Sequence, residues 1–541
     1  MERRIILAFI LSFAVLYGFR ALFSPPAPAS RPPESVQAPA ATANTSVESA
    51  NRIGPPHPDQ TIRAEKAEDL VVDTPLYTAT VSNIGGVLKS YRLKAYSDAE
   101  GHPIELIEQN AGNKLGWPLT LITGDPTLDE ALAKASFLAQ RERNRVSMEF
   151  ASNGVSAQKF LQFDPQNYEF SFATTLTKDG KSVSHAVVWQ GGFGDQSITP
   201  DPAKRNAVYE VEGTFKRTSL RSIKETQDFT VASAGVEDQY FLAMFLSPES
   251  PIPVKIGKQE FTGADGKAVA ELHLSARMPD SKPLRVYVGP KDRQWLSTAE
   301  PRLVSVISYG WFEFIARPLL FCLLFIHSYA GNFGWSIILL TLAINFLLFP
   351  LRLKQQVSMQ QMQKIQPQMK TLQDKYKKLK STDPKRAQLQ TEMMQLYKEH
   401  GVNPMGGCFP LLLQMPVFFG LYSMLSVSIE LRGAPWILWI KDLSQPEHLF
   451  LPILPVLMAV SMIIQQKMTP TTVDPAQARM MMIMPVMFLF MFLWVQSGLT
   501  LYWLTSNMVG IGQQFFINKY WSPRADKKLR DRSKSKEARD K

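Results

Sequence analysis

Between Arg479 and Lys519 lie 39 consecutive residues without a charged side chain. As a single helix rising 1.5 Å per residue they would reach about 58 Å, twice the hydrocarbon thickness of a bilayer. The stretch must therefore fold back on itself, and "QSG", Gln496 to Gly498, is the place for the turn. Three more uncharged runs come close to spanning length: 19 residues over 333–351, 25 over 405–429 and 18 over 449–466. The folded-back run supplies two further spans, 480–497 and 498–518.

The N-terminus adds another candidate. "MERRIILAFILSFAVLYGF" has Arg3 and Arg4 ahead of an uncharged run from Ile5 to Phe19. A cleaved signal peptide, cut near Ala27 or Ala29, fits this pattern, and so does a retained anchor over residues 1–23. The anchor is the reading taken here, which makes six spans and puts both termini on one side. Charge agrees with that arrangement. The net charge is +11, but residues 351–400 carry +7 and residues 519–541 carry +6, so the rest of the chain nets −2. Basic segments that abut apolar runs mark the cytoplasmic side, whereas the loop 430–448 nets −1 and belongs outside.

Residues 24–60 are rich in Pro, Ala and Ser and read as a linker. Over 61–300, apolar and polar residues alternate in "LYTATVSNIGGVLKSYRL", "NYEFSFATTLTKDGK" and "PLRVYVGPK", with Gly, Asp and Asn between the runs. That pattern predicts a large antiparallel β-sandwich outside the cytoplasmic membrane. The glycines of "WQGGFGDQ" match no phosphate-binding spacing and are read as turn residues. Within 301–332, "WFEFIARPLLFCLLFIHSY" has Glu313 and Arg317 in its first half and predicts an amphipathic helix lying at the membrane surface. Cys322 and Cys408, both in apolar context, are read as packing residues.

Residues 352–404 have an organisation of their own. Met362, Ile365, Met369, Leu372, Tyr376 and Leu379 are spaced 3, 4, 3, 4, 3, and Leu389, Met393 and Leu396 resume the seam after "STDPKR". This predicts a basic helical hairpin, with Pro367 kinking its first arm. Residues 467–479 form the second cytoplasmic loop and 519–541 a basic tail. The fold class is thus a multi-domain membrane protein, an α-helical polytopic core joined to an all-β sandwich domain.

No nucleotide-binding, nucleophile-elbow or metal-ligand motif is present in the sequence, no cofactor is expected, and no enzymatic activity is read. The spans after Asn332 contain no acid, which argues against a proton relay or a cation-coupled carrier. They do contain amides and hydroxyls. Thr341, Asn345 and Arg352 sit at i, i+4 and i+11, on one stripe that ends in a cation near the inner surface. Gln414 lies in the next span, Gln465 and Gln466 end the one after, and Tyr502, Trp503, Thr505, Ser506 and Asn507 mark the last. Each could be hydrogen-bonding glue between helices. Together they suggest a wet face inside the bilayer, since a polar stripe turned to lipid would be unsatisfied.

"NPMGGCFPLLLQMPVFFGLYSML", "KDLSQPEHLFLPILPVLM", "QQKMTPTT" and "SGLTLYWLTSN" closely resemble the YidC family of membrane protein insertases, and the anchor, linker and β-rich domain resemble its Gram-negative form. The resemblance implies an inner-membrane insertase and folding chaperone with a five-helix core. Its hydrophilic groove opens to the cytoplasm and to lipid, and it works without nucleotide hydrolysis, alone or beside the Sec translocon. Implied partners are nascent membrane proteins, the ribosome through the basic hairpin and tail, and anionic lipids. Thr341 matches a groove position, and Tyr502 with Trp503 an aromatic pair. In one respect the chain departs from the family: aligning "FPLRLK" puts Asn345 where relatives carry a groove arginine, and Arg352, about two turns further on, is the candidate to supply the cation. A channel or transporter, and a receptor with an outer ligand-binding domain, are the rival readings.

Overall fold

The computed structural model describes residues 61–98, 100–198, 204–263, 266–279, 283–376, 385–399, 409–447, 452–468 and 475–521. The expected anchor, the expected linker and all but the first three residues of the expected tail lie outside them.

Strand-forming segments dominate the described residues as far as Pro290, and every pairing among them is antiparallel. A four-stranded sheet is built from Asp69–Asp73, Tyr77–Ser82, Val87–Ser97 and Pro103–Glu105. A ten-stranded sheet runs from Thr214–Ser219 at one edge to Leu138–Glu142 at the other, and a five-stranded sheet has Ala268–Arg277 at its centre. Alternation drives this assembly: Asp69–Asp73 buries every second residue, as does the first half of Ile252–Thr262. The inward faces share one core. Tyr209 of the ten-stranded sheet stacks on Phe229 of the five-stranded sheet at 4.3 Å, Trp189 meets Phe245 at 6.2 Å, and Tyr77 of the four-stranded sheet meets Phe163 at 6.3 Å. Hairpins close on two-residue turns in which both members have positive φ, as at Asn153 (52°) and Gly154 (74°). The glycines of "WQGGFGDQ" are turn residues too, all at positive φ, and they deliver Asp195 to the domain surface that meets the helices.

Three short helices decorate this domain, α1 (Gln109–Leu115), α2 (Pro126–Lys134) and α3 (Arg293–Ala299). Among the described residues seven more follow: α4 (Glu313–Ala330), α5 (Phe333–Tyr376), α6 (Lys385–Glu399), α7 (Phe409–Val427), α8 (Ile453–Met468), α9 (Pro475–Phe492) and α10 (Ser497–Phe516). Gly331, in the left-handed conformation at φ 66°, ends α4, and the Asn332 carboxamide caps α5 by accepting from Gly334 N at 2.9 Å. Among the described residues two helical segments are long and apolar enough to cross a membrane, Gly310–Ala330 and Phe333–Leu353; Gln414–Val427, Ile453–Met468 and Met482–Phe492 are shorter apolar helices.

Helix α5 runs 44 residues, through Pro350 and Pro367, so the span expected over 333–351 and the first arm of the hairpin are one helix. Its buried Met362, Ile365 and Met369 pack against Met393, Leu396 and Tyr397 of α6, and Tyr376 Oη donates to Glu392 at 2.8 Å. Cys322 is exposed on α4 rather than packed, because the helix turns that side away from α5 and α7. Cys408 lies outside the described residues.

The two halves are bolted together. Arg432, in the segment after α7, donates through Nε to Asp195 Oδ2 at 2.8 Å, and both side chains are almost wholly buried. Gln239 Nε2 donates to Ser426 O, near the end of α7, at 2.8 Å.

Candidate functional site

Helices α5 and α10 lie side by side and run in the same direction, in register over about four turns. Ile337 faces Gly498, Asn345 faces Ser506, and Arg352 faces Gln513. Each helix carries polar residues at the same i, i+4, i+11 spacing: Thr341, Asn345 and Arg352 on one, Tyr502, Ser506 and Gln513 on the other. At about 100° per residue these positions share one helix face, so register alone is enough to bring the two polar stripes together.

The stripe is layered by depth. Thr341 and Asn345 are buried, and their side chains turn back on α5: Thr341 Oγ1 donates to Ile337 O at 2.6 Å, and Asn345 Nδ2 donates to Thr341 O at 2.8 Å. Asn345 Oδ1 accepts from Ser506 Oγ at 3.4 Å, and the Asn345 carbonyl accepts from Gln513 Nε2 at 3.4 Å. Two turns on, half-buried Arg352 donates to Gln513 Oε1 at 3.4 Å and to Gln414 Oε1 of α7 at 3.3 Å. Gln414 in turn donates to the buried hydroxyl of Tyr502. Helix α8 contributes Ser461, which accepts from Asn507 Nδ2 at 2.9 Å, and Gln465, whose amide nitrogen would lie 2.5 Å from a Cβ at Gly510. Gly510 is what lets Gln465 and Arg352 approach α10 together.

Among the described residues Arg352 makes no ion pair and its hydrogen-bond partners are neutral amides, so its charge is solvated by dipoles and not cancelled. At the other end the stripe stops against apolar side chains. The side chains of Ile337 and Leu425 close around Gly498, where a Cβ would lie 3.3 and 3.5 Å from them and 3.0 Å from the Leu443 carbonyl oxygen. The polar stripe thus ends at Gly498 on the side of the β-rich domain and grades from buried to half-buried towards the hairpin.

Of the residues singled out in sequence, Thr341, Asn345, Arg352, Gln414 and Tyr502 converge, and Trp503 does not. One residue on from Tyr502, its indole points into an aromatic cluster with Phe418 at 5.0 Å and Phe488 and Phe492 at 5.5 Å, fastening α10 to α7 and α9. The aromatic pair is therefore divided between two tasks, since adjacent helical residues diverge by about 100°. Gln513 and Ser461 were missed. Gln513 carried a usable signal, its i+11 spacing from Tyr502, whereas Ser461 carried none.

Two family models cover most of the chain. One described as "YidC periplasmic domain" matches residues 69–322, and one described as "60Kd inner membrane protein" matches residues 325–525. A membrane protein insertase YidC from Geotalea daltonii is 35% identical over 546 residues, covering 96% of this chain and 99% of the relative. Another, from Oleidesulfovibrio alaskensis, is 36% identical over 554 residues, covering 95% and 99%. Among solved structures, an active YidC insertase crystal structure with the first transmembrane domain resolved aligns at 21% identity and a TM-score of 0.37, over 85% of this chain and 94% of that one.

Proposed function

Because the chain belongs to the YidC family of membrane protein insertases, we propose that it inserts newly made proteins into the inner membrane, using the α5–α10 polar stripe as the path for a client's hydrophilic segment. The observation that carries this reading is the in-register pairing of the two stripes with a carboxylate-free cation at the hairpin end. A client's polar tail entering from the cytoplasm meets Arg352, Gln414 and Gln513 first. The deeper hydroxyls and amides then replace water as hydrogen-bonding partners. Insertion scales put a charge at the bilayer centre at about 2.5–3.5 kcal/mol, and a polar lining lowers that cost without nucleotide hydrolysis. The client's apolar segment meanwhile passes along lipid-facing side chains such as Met482, Ile483 and Met487 of α9, each more than half exposed.

Arg352 takes the part of the groove arginine that relatives carry at the place of Asn345. Its reach supports this: two turns nearer the cytoplasm than Asn345, it shares Gln513 with that residue. Both termini face the cytoplasm in this reading, and α4 lies at the membrane surface. The basic hairpin and tail engage ribosomes and anionic lipid, and the Sec translocon is a partner for some clients.

The test is site-specific photocrosslinking from positions 345 and 513 to a single-span client stalled on the ribosome. Crosslinks to the client's polar tail are expected, more strongly from 513 than from the deeper 345. Crosslinks confined to neighbouring helices would reduce the stripe to packing glue. Reconstituted vesicles address the rival channel reading: insertion of a small client without solute flux fits the insertase alone.

A further inference from the structure

We propose that residues 434–440, between α7 and α8, form a knob that inserts into the bilayer leaflet on the β-domain side, so that the partner of this loop is the phospholipid interface. The inference is independent of what the polar stripe does. It begins at Leu438, which is 82% exposed and holds φ at 53°, a conformation leucine rarely adopts. The other leucine with positive φ among the described residues, Leu119, is fully buried, so there the side chain gains packing in return for the strain. In water Leu438 would be strained and would also leave its side chain unburied. In lipid the same conformation presents an apolar side chain to an apolar phase.

The neighbours are built to hold the tip out. Trp436 N donates to Ile440 O at 3.0 Å and Ile440 N to Ile437 O at 3.1 Å, closing a tight turn with Ile437 and Leu438 at its apex. Asn332 Nδ2, at the start of α5, donates to Pro435 O at 3.0 Å. The Trp436 ring lies against the backbone of Gly334, where a Cβ would come within 2.1 Å of it, and meets the half-exposed Trp335 edge-on at 5.8 Å. The height of the knob is thereby tied to the first turn of Phe333–Leu353, a segment long and apolar enough to cross the membrane. Exposed Trp335, Leu339 and Leu342 continue the apolar surface down that helix.

Charge defines the boundary. Residues 433–440 carry none, and a cation flanks them on each side. Arg432 turns to Asp195 of the β-rich domain, which fixes the side of the membrane as that of the domain matched by the YidC periplasmic model. Lys441 is exposed, where an ammonium can reach lipid phosphates while the tryptophans occupy the headgroup layer.

The experiment uses the full chain with Cys322→Ser and Cys408→Ser, carrying one cysteine at a time as Leu438→Cys, Ile437→Cys or Lys441→Cys. Each is labelled with an environment-sensitive NBD fluorophore and reconstituted into phosphatidylethanolamine–phosphatidylglycerol vesicles. At 438 and 437 we expect blue-shifted emission, at least twofold stronger quenching by shallow nitroxide lipid than at 441, and little quenching by aqueous iodide. The Ile437→Cys variant leaves the Leu438 turn intact, so a failure at 438 through local unfolding is told apart. Iodide quenching at 437 and 438 equal to that at 441 would overturn the proposal. So would labels at those positions shielded from iodide and nitroxide alike, which would place the knob against protein.

Discussion

Arg352 and Tyr502 share one side chain: Gln414 accepts from the guanidinium through Oε1 at 3.3 Å and donates through Nε2 to the tyrosine hydroxyl. A neutral amide thus links the cation midway along α5 to the buried Tyr502 in the second turn of α10. Neither of the guanidinium's partners is a carboxylate, so its positive charge is left uncancelled.

Replacing Arg352 with Ala removes a charged hydrogen-bonding group worth about 1.5–3 kcal/mol. Insertion of a client with an acidic tail should then fall roughly 10- to 100-fold in a depletion strain, with Arg352→Lys retaining a good part. Asn345→Ala removes the bonds to Thr341 O and Ser506, costing about 0.6–2 kcal/mol of helix association. It should lower the melting temperature in detergent more than it lowers insertion. Unchanged insertion in both variants would show the polar stripe to be idle.

The joint between the halves answers to the Arg432–Asp195 pair. Arg432→Ala leaves the Asp195 carboxylate buried and unpaired, which is expected to cost about 3–5 kcal/mol and to loosen the β-rich domain from the helices. Arg432→Met combined with Asp195→Asn removes both charges and should restore most of that loss. Limited proteolysis of the membrane-embedded chain, followed at the 428–447 segment, reads the difference. Equal cutting in all three proteins would mean that the joint rests on other contacts.

Lys159 offers a pH test within the β-rich domain. Its ammonium is fully buried and donates to the carbonyls of Gly85, Gly86 and Leu119 at 2.7, 2.9 and 2.9 Å. Burial pushes it down to about 7 from an ordinary 10.5, while the three acceptors favour the charged form and narrow that gap. Between those values the unfolded chain binds the proton more tightly than the folded one. This group therefore makes stability rise with pH across the window, by at most about 1.4 kcal/mol per unit, and its penalty is fully present below pH 7. Lys159→Met should abolish that slope and also strand three carbonyls, at about 2–5 kcal/mol. Denaturant titrations followed by near-UV circular dichroism at pH 7 and 9 compare the two proteins, and parallel pH responses would count against the burial of this charge.

Much of this was legible beforehand, for reasons tied to particular residues. The uncharged run between Arg479 and Lys519 has to turn, and the break between α9 and α10 falls at 493–496. Alternation in "LYTATVS" places Tyr77, Ala79 and Val81 inside, and Asn-Gly and Asp-Gly pairs close hairpins because they accept positive φ. Half of the polar site was legible as well, since Thr341, Asn345 and Arg352 repeat with the period of a helix. Trp503 lies about 100° around the helix from Tyr502 and packs among Phe418, Phe488 and Phe492, contacts that carry no signal in the local sequence.

Which segments are apolar, which strands alternate and which helix face is polar follow from side-chain chemistry repeated at 2.0 or 3.6 residues along the chain. What each face meets is settled by packing between distant segments. The parallel register that sets Asn345 on Ser506 and Arg352 on Gln513 spans 161 residues, and the Asp195–Arg432 joint spans 237. Such separations carry no local periodicity; they are selected by the packing of whole helices and sheets, in which Gly334, Gly498 and Gly510 leave just enough room for their partners.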